Sequence, residues 1–202
     1  RRRQRTPTGE MHDMAGISCS CKEVVFDFPG VAALFFCVNV QRALFASRAW
    51  ERLYDGYDPE AGPNQPLLQW LQDPRDRELT RGSQGRYWVH NLWLLEQRGV
   101  DHPAVWLERC RERGIEGWLT VRMNDCHYND VPGAFWHSSF WRQHPEYHRA
   151  PYREEHGWER ALDYAQPAVR QHHLVLIREL LERSLQKLAE GYHIELLTPL
   201  TN

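Results

Sequence analysis

The chain has 202 residues, of which 42% are hydrophobic and 12% aromatic, and its formal net charge is −2. This is enough apolar material for one domain with a buried core. The charge balance argues against a general nucleic-acid binder, because no excess of Lys and Arg is present to track phosphates. No apolar run reaches the roughly 18 residues that a membrane-spanning helix needs.

Residues 1–23 read as an irregular, polar N-terminal tail that opens with the basic "RRRQR". No apolar stretch follows it, so no secretory signal is expected. The chain begins without Met, so a further N-terminal segment is expected upstream. The five cysteines (Cys19, Cys21, Cys37, Cys110 and Cys126) are odd in number and scattered. Cys19-Ser20-Cys21 lacks zinc-ligand spacing, and no second pair follows. Free thiols in a reducing compartment fit this usage, and a cytoplasmic location is favoured.

Residues 24–202 are expected to form the folded domain. "VAALFFCVNV" (Val31–Val40) follows the turn signal Pro29-Gly30 and is continuously apolar, as in a strand of a parallel sheet buried on both faces. It runs into Asn39, Gln41 and Arg42. From Asp55 to Gly85 the chain is rich in Gly, Pro, Asp and Gln, with a short helix expected near Leu67–Leu71. Loops this long are uncommon unless they cover or form a site. "YWVHNLWLLEQRG" reads as a helix stopped by Gly99. "DHPAVWLERCRERG" reads as a second, with Asp101 as cap, Pro103 in the first turn, arginines near the end and Gly114 beyond it.

"IEGWLTVRM" is the second predicted strand, and it too ends among polar groups: Arg122, Asn124, Asp125, His127 and Asp130. Residues 125–162 form a long aromatic loop in which "SSFWRQHPEY" holds a helical turn. Pro167 opens a helix with an apolar stripe through Val169, His173, Leu176 and Leu180. "YHIELL" (Tyr192–Leu197) is a last strand. The order strand, helices, strand, helix, strand suits parallel pairing. Polar clusters after strands match a (β/α) barrel, where chemistry sits at the C-terminal strand ends.

Specific phrases now carry a family resemblance. "LFFCVNVQRALF", "WVHNLWLLEQRGVD", "WLERCRERGI", "WLTVRMND", "FWRQHPEY" and "ALDYAQPAVRQHHLVLIRELLER" together resemble the N-terminal half of family-10-like glycoside hydrolases, TIM-barrel proteins of bacterial genomes. The resemblance spans roughly residues 33–183 and is specific in the combination of its phrases rather than in any one. It implies an α/β chain, a partial (β/α) TIM-type barrel with parallel strands and long strand-to-helix loops, that acts on or binds carbohydrate. It also implies a strand like "DGLELDW" soon after "RELLER". The chain instead continues "SLQKLAEGYHIELLTPLTN", with Glu195 matching that strand's glutamate and Leu197 in place of its aspartate. A complete barrel takes about 250 residues, so the domain reads as truncated. Exposed sheet edges then favour self-association.

Glycoside hydrolysis normally needs two carboxyls, roughly 5–5.5 Å apart for retention or 6.5–9.5 Å for inversion, one of them held protonated. The candidates are Asp125, Asp163 and Glu195. Asp125 and Asp163 equally suit a turn or a cap. Arg122, Asn124, Asn39, Arg42 and His127 are candidate hydroxyl binders, with an internal ion pair the alternative for Arg122. Trp136 can stack on a sugar or simply pack. His127, His137, His144, His148 and His156 crowd one loop without metal-ligand spacing, so neither a metal nor a cofactor is expected. Phosphate-loop and G-x-S-x-G motifs are absent from the sequence. Two readings stand: a glycoside hydrolase-like protein, or a non-catalytic carbohydrate-binding or vestigial fragment without the acid pair.

Overall fold

The computed structural model describes residues 30–71, 84–131, 133–150, 152, 157–188 and 193–195; the expected tail 1–23, Cys19, Cys21, His156 and Leu197 lie outside them. Three parallel strands, β1 (Ala33–Cys37), β2 (Glu116–Thr120) and β3 (His193–Glu195), pair in the order β1-β2-β3. Phe35 lies opposite Trp118, and Thr120 lies between Cys37 and Glu195. Parallel neighbours need crossover connections. The first contains α1 (Gln84–Gln97) and α2 (His102–Glu112), and the second contains α3 (Ser139–Gln143) and α4 (Pro167–Leu188).

The helix ends follow from local chemistry. Asp101 accepts from the Ala104 N–H at 3.3 Å, Pro103 sits in the first turn, and Gly114 takes φ 66° beyond the C-terminus of α2. Ser138 caps α3 by accepting from the Trp141 N–H at 3.1 Å. The segment expected as a helix near Leu67–Leu71 is a short 3-10 turn, Pro66–Leu68, because the prolines at 63 and 66 each open a turn without supplying an N–H to extend it.

One face of the sheet is covered. Val38, Phe45, Leu107, Leu119, Val121, Leu176 and Leu180 form its core, joining both strand ends to α2 and α4. Gly117 lets α2 approach β2 closely: a Cβ there would stand 3.0 Å from both Cys110 Cβ and Leu107 Cδ2. On the opposite face Phe35 stacks on Trp118 at 6.1 Å and remains 54% exposed. A second cluster sits over the strand ends. Val40, Leu53, Tyr54, Tyr57, Leu68, Val89, Phe135 and Trp136 bind the long loops and α1 into one roof. The described parts of the long loops are therefore packed structure, and they frame the C-terminal ends of β1 and β2.

Candidate functional site

Neither strand keeps its ladder to the end of its apolar run: β1 stops at Cys37 and β2 at Thr120. One further main-chain bond, from the Val38 N–H to the Thr120 carbonyl at 3.1 Å, closes the ladder, and beyond it side chains take over the pairing. Asn39 is fully buried. Its Oδ1 accepts from the Arg122 N–H at 2.8 Å, and its Nδ2 donates to the Arg122 carbonyl at 2.9 Å. One amide thus satisfies both main-chain groups of one residue. Asn124 repeats the device on Leu162, accepting from its N–H and donating to its carbonyl, both at 3.1 Å. The two asparagines step the connection from β1 to β2 and from β2 to the segment before α4. Both are clamps, with their amides committed to the main chain.

Arg42 is buried as well. It donates to the Phe135 carbonyl at 3.1 Å and to Glu51 at 2.5 Å. Burial lowers the pKa of its guanidinium, and Glu51 partly opposes that. Glu51 also accepts from the Ser139 N–H at 2.5 Å, which ties the first loop to the start of α3. Trp136 is buried in the roof, near Phe135 at 4.9 Å and Tyr128 at 6.0 Å. Asp163 closes a turn before α4 by accepting from the Ala165 N–H at 2.9 Å. Glu195 ends β3 beside Thr120.

The remaining three candidates meet. Arg122 donates to Asp125 Oδ1 at 3.0 Å, and His127 Nδ1 lies 2.6 Å from the same oxygen. The Arg122 guanidinium also lies 3.1 Å from His127 Nδ1, so the three groups close one ring of contacts and His127 has Nε2 left for other partners. The carboxylate side chain is 2% exposed, whereas Arg122 and His127 are 45% and 59% exposed. A buried acid therefore positions two accessible hydrogen-bonding groups. Burial works against the charge on Arg122, but its bond to Asp125 prevails and its pKa is raised. The alternation of an extended strand, which would set Arg122 and Asp125 on opposite faces, ends at Thr120; the turn beyond it brings them together.

The next residue, Tyr128, adopts a left-handed backbone at φ 58°, an uncommon conformation for an aromatic residue. It is 44% exposed, stacks on Trp136 and lies 5.5 Å from Trp70. Trp88, half-exposed, meets Trp136 edge-on at 5.5 Å. An aromatic ledge thus continues directly from the Arg122–Asp125–His127 trio. Below it, Gln41 reaches across 88 residues to Asn129 Oδ1 at 2.8 Å and also contacts the Asp125 carbonyl at 3.3 Å. No group of three or more His, Cys, Asp or Glu side chains able to hold a metal occurs among the described residues.

No family model matches the chain, and no curated protein is detectably similar to it. Function is therefore argued from the site. Tyr128, Gln41 and Asn129 carried little signal in the sequence. Each is an ordinary loop residue there, and only the turn after β2 brings them beside Asp125.

Proposed function

We propose that the chain binds carbohydrate at the C-terminal ends of β1 and β2, as a partial (β/α)-barrel unit of glycoside hydrolase type. The observation that carries this reading is the junction of two surfaces at His127 and Tyr128. The exposed aromatic ledge suits the C–H face of a sugar ring. The adjoining trio offers hydroxyl partners from half-exposed side chains held in place by a buried one. Arg122 and Asp125 pair and cancel in charge, which suits a neutral polyol better than an anion.

Binding is favoured over hydrolysis by what the carboxyls do. Asp125 is committed to Arg122 and His127, and Asp163 to its turn. One observation supports the catalytic alternative: the register sets Glu195 level with Thr120, at the same end of the sheet as Asp125. The test is a panel of neutral oligosaccharides read by thermal shift and calorimetry. A glycan that binds the wild type should bind Tyr128→Ala and Arg122→Met at least tenfold more weakly, about 1.4 kcal/mol or more. If no glycan raises the melting temperature, the reading fails. Turnover of a bound glycan that disappears in Glu195→Gln would favour the hydrolase.

A further inference from the structure

Three side chains, two in the Asp125–Asp130 loop and one reaching it from beyond β1, are all at least nine-tenths buried, and each leaves one polar atom without a hydrogen-bond partner among the described residues: Asn129 Nδ2, Asp125 Oδ2 and Gln41 Oε1. Gln41 joins the other two, through Asn129 Oδ1 and the Asp125 carbonyl, so the three atoms lie on one connected network, and buried polar groups call for partners. Their donor and acceptor roles follow from the network. The Asp125 carbonyl can only accept, so the Gln41 atom 3.3 Å from it is the amide nitrogen. The same nitrogen donates to Asn129 Oδ1 at 2.8 Å. Gln41 therefore has its oxygen to offer, and Asn129 its NH2. Asp125 adds a carboxylate oxygen, its other one being taken by Arg122 and His127.

We propose that Gln41, Asn129 and Asp125 form a subsite that reads two neighbouring hydroxyls of the bound sugar. One hydroxyl donates to Asp125 Oδ2. The other donates to Gln41 Oε1 and accepts from Asn129 Nδ2. An acceptor beside a donor is what a hydroxyl needs, since it plays both roles at once. An anion would meet two acceptors, and an ammonium group would leave the Asn129 donor unused. All three atoms are buried, so in this proposal a sugar reaches them through an opening of the Asp125–Asp130 loop. Tyr128, between Asp125 and Asn129 in the chain, holds the strained left-handed conformation there, and strain of this kind gathers at ligand clamps. Arg122, His127 and the aromatic ledge would bind the outer part of the sugar, and the subsite would discriminate among hydroxyl patterns.

This inference rests on the carbohydrate reading, and the experiment separates the two. The full chain is titrated with the best glycan from the panel and with its monodeoxy analogues, as wild type, Asn129→Leu and Asp125→Asn. Asn129→Leu removes the unpartnered donor together with the oxygen that accepts from Gln41, and leaves Gln41 its bond to the Asp125 carbonyl. With one buried bond lost, its melting temperature should fall by about 2–4 °C, while affinity falls at least tenfold. Asp125→Asn should fall similarly, and one or two deoxy analogues should bind the wild type no better than the parent glycan binds the variants. Wild-type binding that both variants retain overturns the subsite and leaves the carbohydrate reading intact. A lower melting temperature for Asn129→Leu with unchanged affinity makes the trio a structural network, and also overturns it. Absence of binding by any glycan overturns both.

Discussion

Asn39 is fully buried, and its amide meets both main-chain groups of Arg122. Asn39→Asp keeps the shape but turns the donor into an acceptor facing the carbonyls of Arg122 and Val40. With two bonds lost at a buried position, the expected loss is about 2–4 kcal/mol, read as a lower urea midpoint with an unchanged slope. Asp125→Asn should behave differently. Arg122 and His127 are half-exposed and can turn to water, and Asp125 Oδ2 has no partner to lose among the described residues. Its cost should stay below about 1 kcal/mol in the same measurement. The contrast separates clamp from site in a way the sequence does not. A polar residue after a strand reads equally as a functional group or a substitute ladder, and the choice depends on what lies opposite, 83 residues away for Asn39.

At the scale of elements, the α2–β2 contact depends on Gly117. Gly117→Ala would push a methyl group into Cys110 and Leu107, with no flexible side-chain tip to move aside at Cys110 Cβ. We expect a loss of about 1–3 kcal/mol, measured by denaturation, with no change in secondary-structure content. α4 carries a second joint. Glu179 is buried in the middle of the helix, where it accepts from Ser47 Oγ at 2.5 Å, the Arg48 N–H at 2.8 Å and the Ala49 N–H at 3.2 Å. This carboxylate closes the loop after β1 onto α4, so Glu179→Ala should cost about 2–4 kcal/mol and expose that loop to proteolysis first. The elements themselves were readable because their signals are local: the Asp101 cap, the glycines at 99 and 114, and the apolar runs of β1 and β2. Glu51 and Glu179 were not readable as joints, because each serves donors 88 to 132 residues distant. The one local hint was a carboxylate among Leu176, Ile177 and Leu180.

At the scale of the molecule, the buried histidines make stability depend on pH. Burial pushes His102 and His137 down to about 4. It does the same to His172, which is sandwiched between Trp50 at 4.4 Å and Phe140 at 4.0 Å. His90, His148 and His173 are also lowered by burial. In the unfolded chain such groups titrate near 6.5. Between that value and about 4, the unfolded state therefore holds more protons, and stability rises with pH across the window. The contribution is fully present above the unfolded value, declines as pH falls through it, and is gone below the folded value. For a fully buried group such as His137 this amounts to about 3 kcal/mol. The neighbours reinforce the direction in part: Arg142 and His148 disfavour a proton on His137, while Asp125 favours one. The melting temperature should be flat above about pH 7 and fall steeply between about pH 6 and 4.5. His137→Phe, which keeps a ring against Trp141, should flatten that fall if the variant folds, and His102→Phe supplies an independent check. A melting temperature that does not change between pH 7 and pH 4.5 would show that these histidines are not held neutral by the fold.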